Sequence, residues 1–210
     1  MGRADDGGVP VYLDQMQRLH PQFRERDHAL HGEPAHIKAK MNSLCDPVII
    51  RSLYEASAAG VKIDLIVRGI CCLKVGIPGV SENIHVRSIV GNFLEHSRIY
   101  YFENGGSPEV YASSADWMPR NLDRRVEILF PLEDEKIRAE ALHILDVELA
   151  DTVKAHLMKP DGSYERVDRR GKDLINSQMI FCEEAVEKAK VLKPNPTDRV
   201  FRPREAPGNS

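Results

Sequence analysis

Between residues 36 and 67 the chain spells a strand, a capped helix and a second strand. His36-Ile37-Lys38-Ala39-Lys40-Met41 alternates with the two-residue period of a strand. Asp46-Pro47 follows, pairing a side chain that accepts from the first free N–H groups of a helix with a proline whose missing donor does no harm at the first helical position. Ile49, Ile50, Leu53, Tyr54 and Ala56 give that helix one apolar side, and Gly60 stands where a helix stop is wanted. Residues 61–67, Val-Lys-Ile-Asp-Leu-Ile-Val, are a β-rich run that ends at Arg68-Gly69. Strand, helix, strand in that order is a βαβ unit with a parallel pair, which points to an α/β fold. Ligands in open α/β sheets gather at the carboxyl ends of such strands, and Arg68 stands at one. On this evidence alone it reads equally as an anion ligand or as a surface arginine.

Downstream, residues 85–90 read as another strand. Phe93-Leu94-Glu95-His96-Ser97-Arg98 then precedes the apolar run Ile99-Tyr100-Tyr101-Phe102. The turn Glu103-Asn104-Gly105-Gly106-Ser107-Pro108 leads to Val110-Tyr111-Ala112 and the polar string Ser113-Ser114-Ala115-Asp116. If the two apolar runs pair, side chains at the entrance of the first and the exit of the second line one pocket. Histidine, arginine, serine and aspartate are the residue types that hold and transfer a phosphoryl group. Arg120, Arg124 and Arg125 follow, before a strand over 126–130, and continued alternation would put Arg125 and Glu127 on one face. The loop 70–83 contains Gly76-x-x-Gly79, which is turn chemistry rather than a phosphate-binding fingerprint, and Lys74 there reads as a solvated lysine.

The rest is scaffolding. An amphipathic helix covers 133–149, a hairpin turns at Pro160-Asp161-Gly162-Ser163, and a last helix runs over 173–192. A short helix over 22–31 is stopped by Gly32 and Pro34. The segment 1–34, the body 35–192 and a proline-rich, disordered tail 193–210 divide the chain.

With a net charge of -3 and a pI of about 6.2, the chain carries no global basic field, so nucleic acid is not an expected partner. No apolar run approaches the roughly 20 residues of a transmembrane helix. The first residues lack the apolar core of a secretory signal, so a cytoplasmic location is expected. Cys45, Cys71, Cys72 and Cys182 show no zinc spacing and read as small buried residues of a reducing compartment. His20, His28 and His31 read as part of a solvated face rather than as metal ligands.

Longer motifs carry more. They are Lys38-Ala39-Lys40-Met41-Asn42-Ser43-Leu44, then Gly60-Val61-Lys62-Ile63-Asp64-Leu65-Ile66-Val67-Arg68-Gly69-Ile70-Cys71, and Arg87-Ser88-Ile89-Val90. Leu94-Glu95-His96-Ser97-Arg98, Glu103-Asn104-Gly105-Gly106, Ser113-Ser114-Ala115-Asp116-Trp117-Met118 and Asn121-Leu122-Asp123-Arg124-Arg125-Val126-Glu127 follow in order. Over about residues 35–190 they resemble the C-terminal catalytic part of bacterial polyphosphate kinase. The resemblance implies a phospholipase-D-like α/β fold, a mixed sheet flanked by helices. It implies reversible transfer of the terminal phosphate of ATP to inorganic polyphosphate through a phosphohistidine, with Mg2+. Two such domains face each other in that family, each giving one histidine, and the match is to the second.

By the same resemblance Arg68 and His96 contact the nucleotide phosphates, His96 is catalytic, and Arg125 lies close to the same site. The chemistry is consistent: a guanidinium grips phosphate oxygens through two parallel donors, and a histidine can protonate or hydrogen-bond a leaving phosphate near neutral pH. The phosphorylated histidine, the Mg2+ site and the adenine pocket belong to a preceding domain outside the match, so no metal ligand is expected here. Residues 1–34 do not match cleanly. The superfamily's H-x-K reads His96-Ser97-Arg98, with Ser-Ser-Ala-Asp where Gly-Ser-x-Asn would stand. Expected partners are ATP or ADP, inorganic polyphosphate, and the missing catalytic half or a second copy in a homo-oligomer. The competing readings are a truncated, non-catalytic remnant that binds polyanions or partner chains, and a phosphodiesterase assembled from two copies.

Overall fold

The computed structural model describes residues 11–12 and 21–191. The proposed tail 193–210 lies outside the described residues. After a two-residue strand β1 (Val11–Tyr12) and helix α1 (Pro21–Leu30) comes the βαβ unit: β2 (His36–Met41), α2 (Pro47–Ala58) and β3 (Lys62–Val67). β2 and β3 are parallel, in register from His36 opposite Lys62 to Met41 opposite Val67. Asp46 caps α2 as its sequence promised, one carboxylate oxygen accepting from the N–H groups of Val48 (3.0 Å) and Ile49 (2.9 Å). Gly60 leaves the helix at φ +98°, a conformation that penalises any side chain with a Cβ.

β4 (Ile84–Ile89) adds to β3 in parallel, and β5 (Arg98–Phe102) adds to the other side of β2 antiparallel. A 3-10 turn (Asn104–Gly106) returns the chain as β6 (Glu109–Ser113), antiparallel to β5 with Arg98 opposite Ser113. Next come α3 (Pro119–Arg124), β7 (Ile128–Pro131), α4 (Glu135–Ala150), the hairpin β8 (Ala155–Met158) and β9 (Tyr164–Arg166), and α5 (Ser177–Val191). Among the described residues the strands form one mixed sheet in the order β1-β7-β6-β5-β2-β3-β4-β8-β9. The chain divides into two units, Met1–Gln178 and Met179–Ser210, and the sheet belongs to the first.

Strand alternation sends apolar side chains to both faces of the sheet. Ile37, Ala39, Ile63, Leu65 and Tyr100 meet Leu53 and Ala56 of α2 on one face; Ile66, Ile99 and Tyr101 meet Ala141 and Leu145 of α4 on the other. Leu53 and Leu145 are each fully buried, worth roughly 1.5–3 kcal/mol apiece. A helix on each face of a mixed sheet is the expected α/β architecture. Among the described residues no helix is long and apolar enough to cross a membrane.

Several expectations shift. The last helix starts at Ser177 rather than at 173, because the preceding residues are engaged with the end of α4: the Ile175 carbonyl accepts from the N–H groups of Thr152 and Val153, and the Asp173 carbonyl from the Thr152 hydroxyl. Arg125 and Glu127 do not share a face. Arg125 is the exposed C-terminal cap of α3, whereas Glu127 is buried and accepts from Asn121 Nδ2 at 2.5 Å. Cys72 is exposed rather than buried, and the other three cysteines are half-buried. Helix α1 is fastened to the sheet by Glu25, which is fully buried and accepts from the N–H groups of His36 (3.0 Å) and Asn104 (2.6 Å).

Candidate active site

Because Met41 and Val67 are register partners, the next residues, Asn42 and Arg68, leave the sheet side by side. Arg68 Nε donates to Asn42 Oδ1 (2.9 Å), and the Gly69 N–H donates to the Asn42 carbonyl (2.8 Å). The two segments approach so closely that a Cβ on Gly69 would sit 3.0 Å from that carbonyl oxygen, tighter than side chains normally tolerate. The Asn42 N–H in turn donates to Asp116 Oδ1 at 2.7 Å. Asp116 receives the guanidinium of Arg98 as a fork, Nε to Oδ1 and Nη2 to Oδ2, both at 3.1 Å. Arg98 also holds His96: Nη1 donates to the His96 carbonyl (2.8 Å) and lies 3.0 Å from Nδ1, while Nη2 lies 3.3 Å from Nε2. One continuous network therefore runs from Arg68 to His96 through Asn42, Asp116 and Arg98.

Burial separates the roles along this network. Arg98 and Asp116 are 8% and 6% exposed, whereas His96 is exposed and Arg68 half-buried. Burial alone would push the Asp116 carboxyl up. The Arg98 guanidinium and the backbone N–H groups of Asn42 and Ser43 outweigh it and hold the group below the usual carboxylate range. The pair is thus a fixed, charge-balanced floor under an accessible imidazole. Among the described residues the terminal nitrogens of Arg68 make no hydrogen bond, so its fork is open to a ligand.

The loop carrying His96 has a second anchor. Gln178 accepts from the Phe93 N–H (3.1 Å) and donates to the Phe93 carbonyl (2.9 Å) and to Glu95 Oε1 (2.7 Å). Lys40 Nζ lies 2.9 Å from both Glu95 Oε2 and Glu148 Oε1. Glu148 is completely buried, and burial together with the neighbouring Glu95 pushes its carboxyl up to about 8. Burial also opposes charge on Glu95, but the neighbouring Glu148 carboxyl and the hydrogen bonds from Lys40 and Gln178 overcome it and bring that carboxyl down to about 2. The two carboxyls beside Lys40 are thus pushed in opposite directions, Glu148 holding its proton far more tightly than Glu95.

Arg68 and His96 are thus brought into one network. Arg125 is not joined to it, and like Arg120 and Arg124 it is exposed. Sequence reasoning left Asn42 without a role, although its place directly after a strand parallel to the one that ends before Arg68 was a usable signal. Nothing local marked Lys40, Glu148 or Gln178 as supports of the His96 loop. Among the described residues no group of three or more His, Cys, Asp or Glu side chains is arranged to hold a metal ion.

The family model described as polyphosphate kinase C-terminal domain 2 matches residues 15–178. The chain belongs to this polyphosphate kinase family. A polyphosphate kinase of Lactiplantibacillus plantarum is 53% identical over 182 residues, covering 85% of this chain and 25% of that protein. One of Pseudomonas aeruginosa is 60% identical over 162 residues, covering 77% of this chain and 24% of its own length. The crystal structure of polyphosphate kinase from Porphyromonas gingivalis matches with a TM-score of 0.80 and 38% identity, over 85% of this chain and 28% of that one. The chain therefore spans about a quarter of the length of these relatives.

Proposed function

We propose that this chain supplies the second half of a polyphosphate kinase active site. The full reaction would transfer the terminal phosphate of ATP reversibly to inorganic polyphosphate, through a phosphohistidine on the other half. The observation that carries this reading is the network from Arg68 to His96: two phosphate-directed groups at the carboxyl ends of the central parallel strands, held in fixed relation by buried charges. Phosphoryl transfer asks a protein mainly for positioning and for stabilisation of charge on the phosphate oxygens. The open fork of Arg68 binds two of those oxygens, as a planar guanidinium does best. His96 hydrogen-bonds or protonates the leaving phosphate, and Arg98, itself fixed by Asp116, sets the orientation of the ring. Arg125, exposed and outside the network, is proposed as an outer contact of the phosphate chain.

The carboxylates nearest the site do not fit Mg2+. Asp116 is committed to Arg98, and Glu95 to Lys40 and Gln178. On this reading the metal belongs to the other half, in a cytoplasmic enzyme. Ile70, Phe93 and Leu94, at 62%, 54% and 71% exposed, stand in the segments next to Arg68 and His96, as apolar residues of a surface covered in a larger protein do.

Titrating tripolyphosphate into the purified chain tests the assignment. Losing a charge-assisted hydrogen bond worth about 1.5–3 kcal/mol weakens binding roughly tenfold or more. That loss is expected for both Arg68→Ala and His96→Ala. Unchanged binding in both variants overturns the site.

A further inference from the structure

The segments that leave the sheet at Asn42 and Arg68 stay paired for several residues. Leu44 and Cys71 form a parallel bridge, with the Leu44 N–H donating to the Ile70 carbonyl (2.9 Å) and the Cys72 N–H to the Leu44 carbonyl (2.8 Å). One step past a parallel bridge the next two residues again stand beside each other, on the opposite face from the bridging pair. Those residues are Cys45 and Cys72. Neighbouring strands lie about 4.8 Å apart, within the roughly 4.4–6.8 Å of Cα separation that a disulfide spans. Both cysteines are free; Cys72 is exposed and Cys45 half-buried.

We propose that Cys45 and Cys72 are a reversible oxidation site, closing to a disulfide when a hydroperoxide reaches Cys72. The Cys72 sulfur attacks the peroxide: an S–O bond forms, the O–O bond breaks, the departing oxygen leaves as water or alcohol, and Cys72 becomes a sulfenic acid. The Cys45 sulfur then attacks the Cys72 sulfur. An S–S bond forms, the S–O bond breaks, and the Cys45 proton leaves with the hydroxyl as water. Two thiols have given up two electrons and the peroxide has taken them; a dithiol reductant reverses the change. Burial, with Cys72 as the next cause, pushes the Cys45 thiol up to about 11, so Cys45 waits as a thiol and the exposed partner reacts first. The cross-link ties the segment that follows Asn42 to the one that follows Arg68. It does not depend on the phosphotransferase reading.

The experiment is stepwise hydrogen peroxide treatment of the native full chain, read by intact mass and by non-reducing peptide mapping. The expected product has lost two hydrogen atoms, links the Cys45 peptide to the Cys72 peptide, and reverts in dithiothreitol. Cys45→Ser should stop at a sulfenic acid on Cys72 that dimedone traps, Cys72→Ser should form no cross-link, and Cys71→Ser should cross-link as the parent does. A Cys71–Cys72 bond, a link between two chains, or the absence of any cross-link with Cys72 oxidised overturns the inference.

Discussion

Arg98 and Asp116 form a buried one-to-one pair in fork geometry, whereas Lys40 shares a single charge between Glu95 and Glu148. Both clusters hold the loop that carries His96, one at its end and one at Glu95. The first is neutral as it stands, because charge and hydrogen bonds are matched within it and by the Asn42 N–H. The second is neutral only while Glu148 keeps a proton. A fixed floor and a titrating anchor thus lie on two sides of one short loop, and the difference is set by stoichiometry rather than by depth of burial.

The largest effect separating the two should come from breaking the first. Arg98→Ala leaves Asp116 buried without its cation and should cost about 3–5 kcal/mol in urea unfolding at pH 7. Asp116 is held below its usual range, so its contribution is present above about pH 3.9, the unfolded value. It is lost as pH falls through the lowered folded value, and the wild-type advantage over Asp116→Asn should narrow there. Lys40→Met should come next, at about 3 kcal/mol near pH 7, because two carboxyls then compete for one proton in a dry site. That loss should shrink toward pH 4, where both can be protonated; a pH-independent loss would mean the cluster is not sharing a proton.

Glu148→Gln sharpens the contrast in the other direction. Folded Glu148 holds its proton up to about pH 8, while in the unfolded chain it ionises near 4.3, so this group makes stability fall as pH rises between those values. The amide removes the fall. The variant should match wild type at pH 4 and gain on it progressively toward pH 8, in denaturant melts at each pH. Gln178→Ala should be the smallest, about 1 kcal/mol, with its signature in faster hydrogen exchange at the Phe93 amide.

The same division marks what the sequence made legible. The βαβ unit and the β5–β6 pair were readable because their signals are local: Asp46-Pro47 at a helix start, Gly60 at its end, two alternating runs around a Gly-Gly turn. Arg68 was singled out by its place after a strand and His96 by its motif. The anchor was not readable, since Glu148 and Gln178 lie more than fifty residues beyond Glu95 and only the packing of α4 and the start of α5 brings them to it. The alternation expected from Arg125 to Glu127 failed because α3 runs up to Arg124 and the strand begins only at Ile128. A helix of six residues between strands leaves little periodicity to find.

The most direct test of the half-site account is a chimera. The aligned quarter of the Lactiplantibacillus plantarum polyphosphate kinase would be replaced by this chain, and polyphosphate formation from ATP and Mg2+ measured beside the parent enzyme. The account predicts synthesis by the chimera, lost on His96→Ala and strongly reduced on Arg68→Ala. A folded chimera whose synthesis is indifferent to both substitutions, or absent altogether, would contradict it.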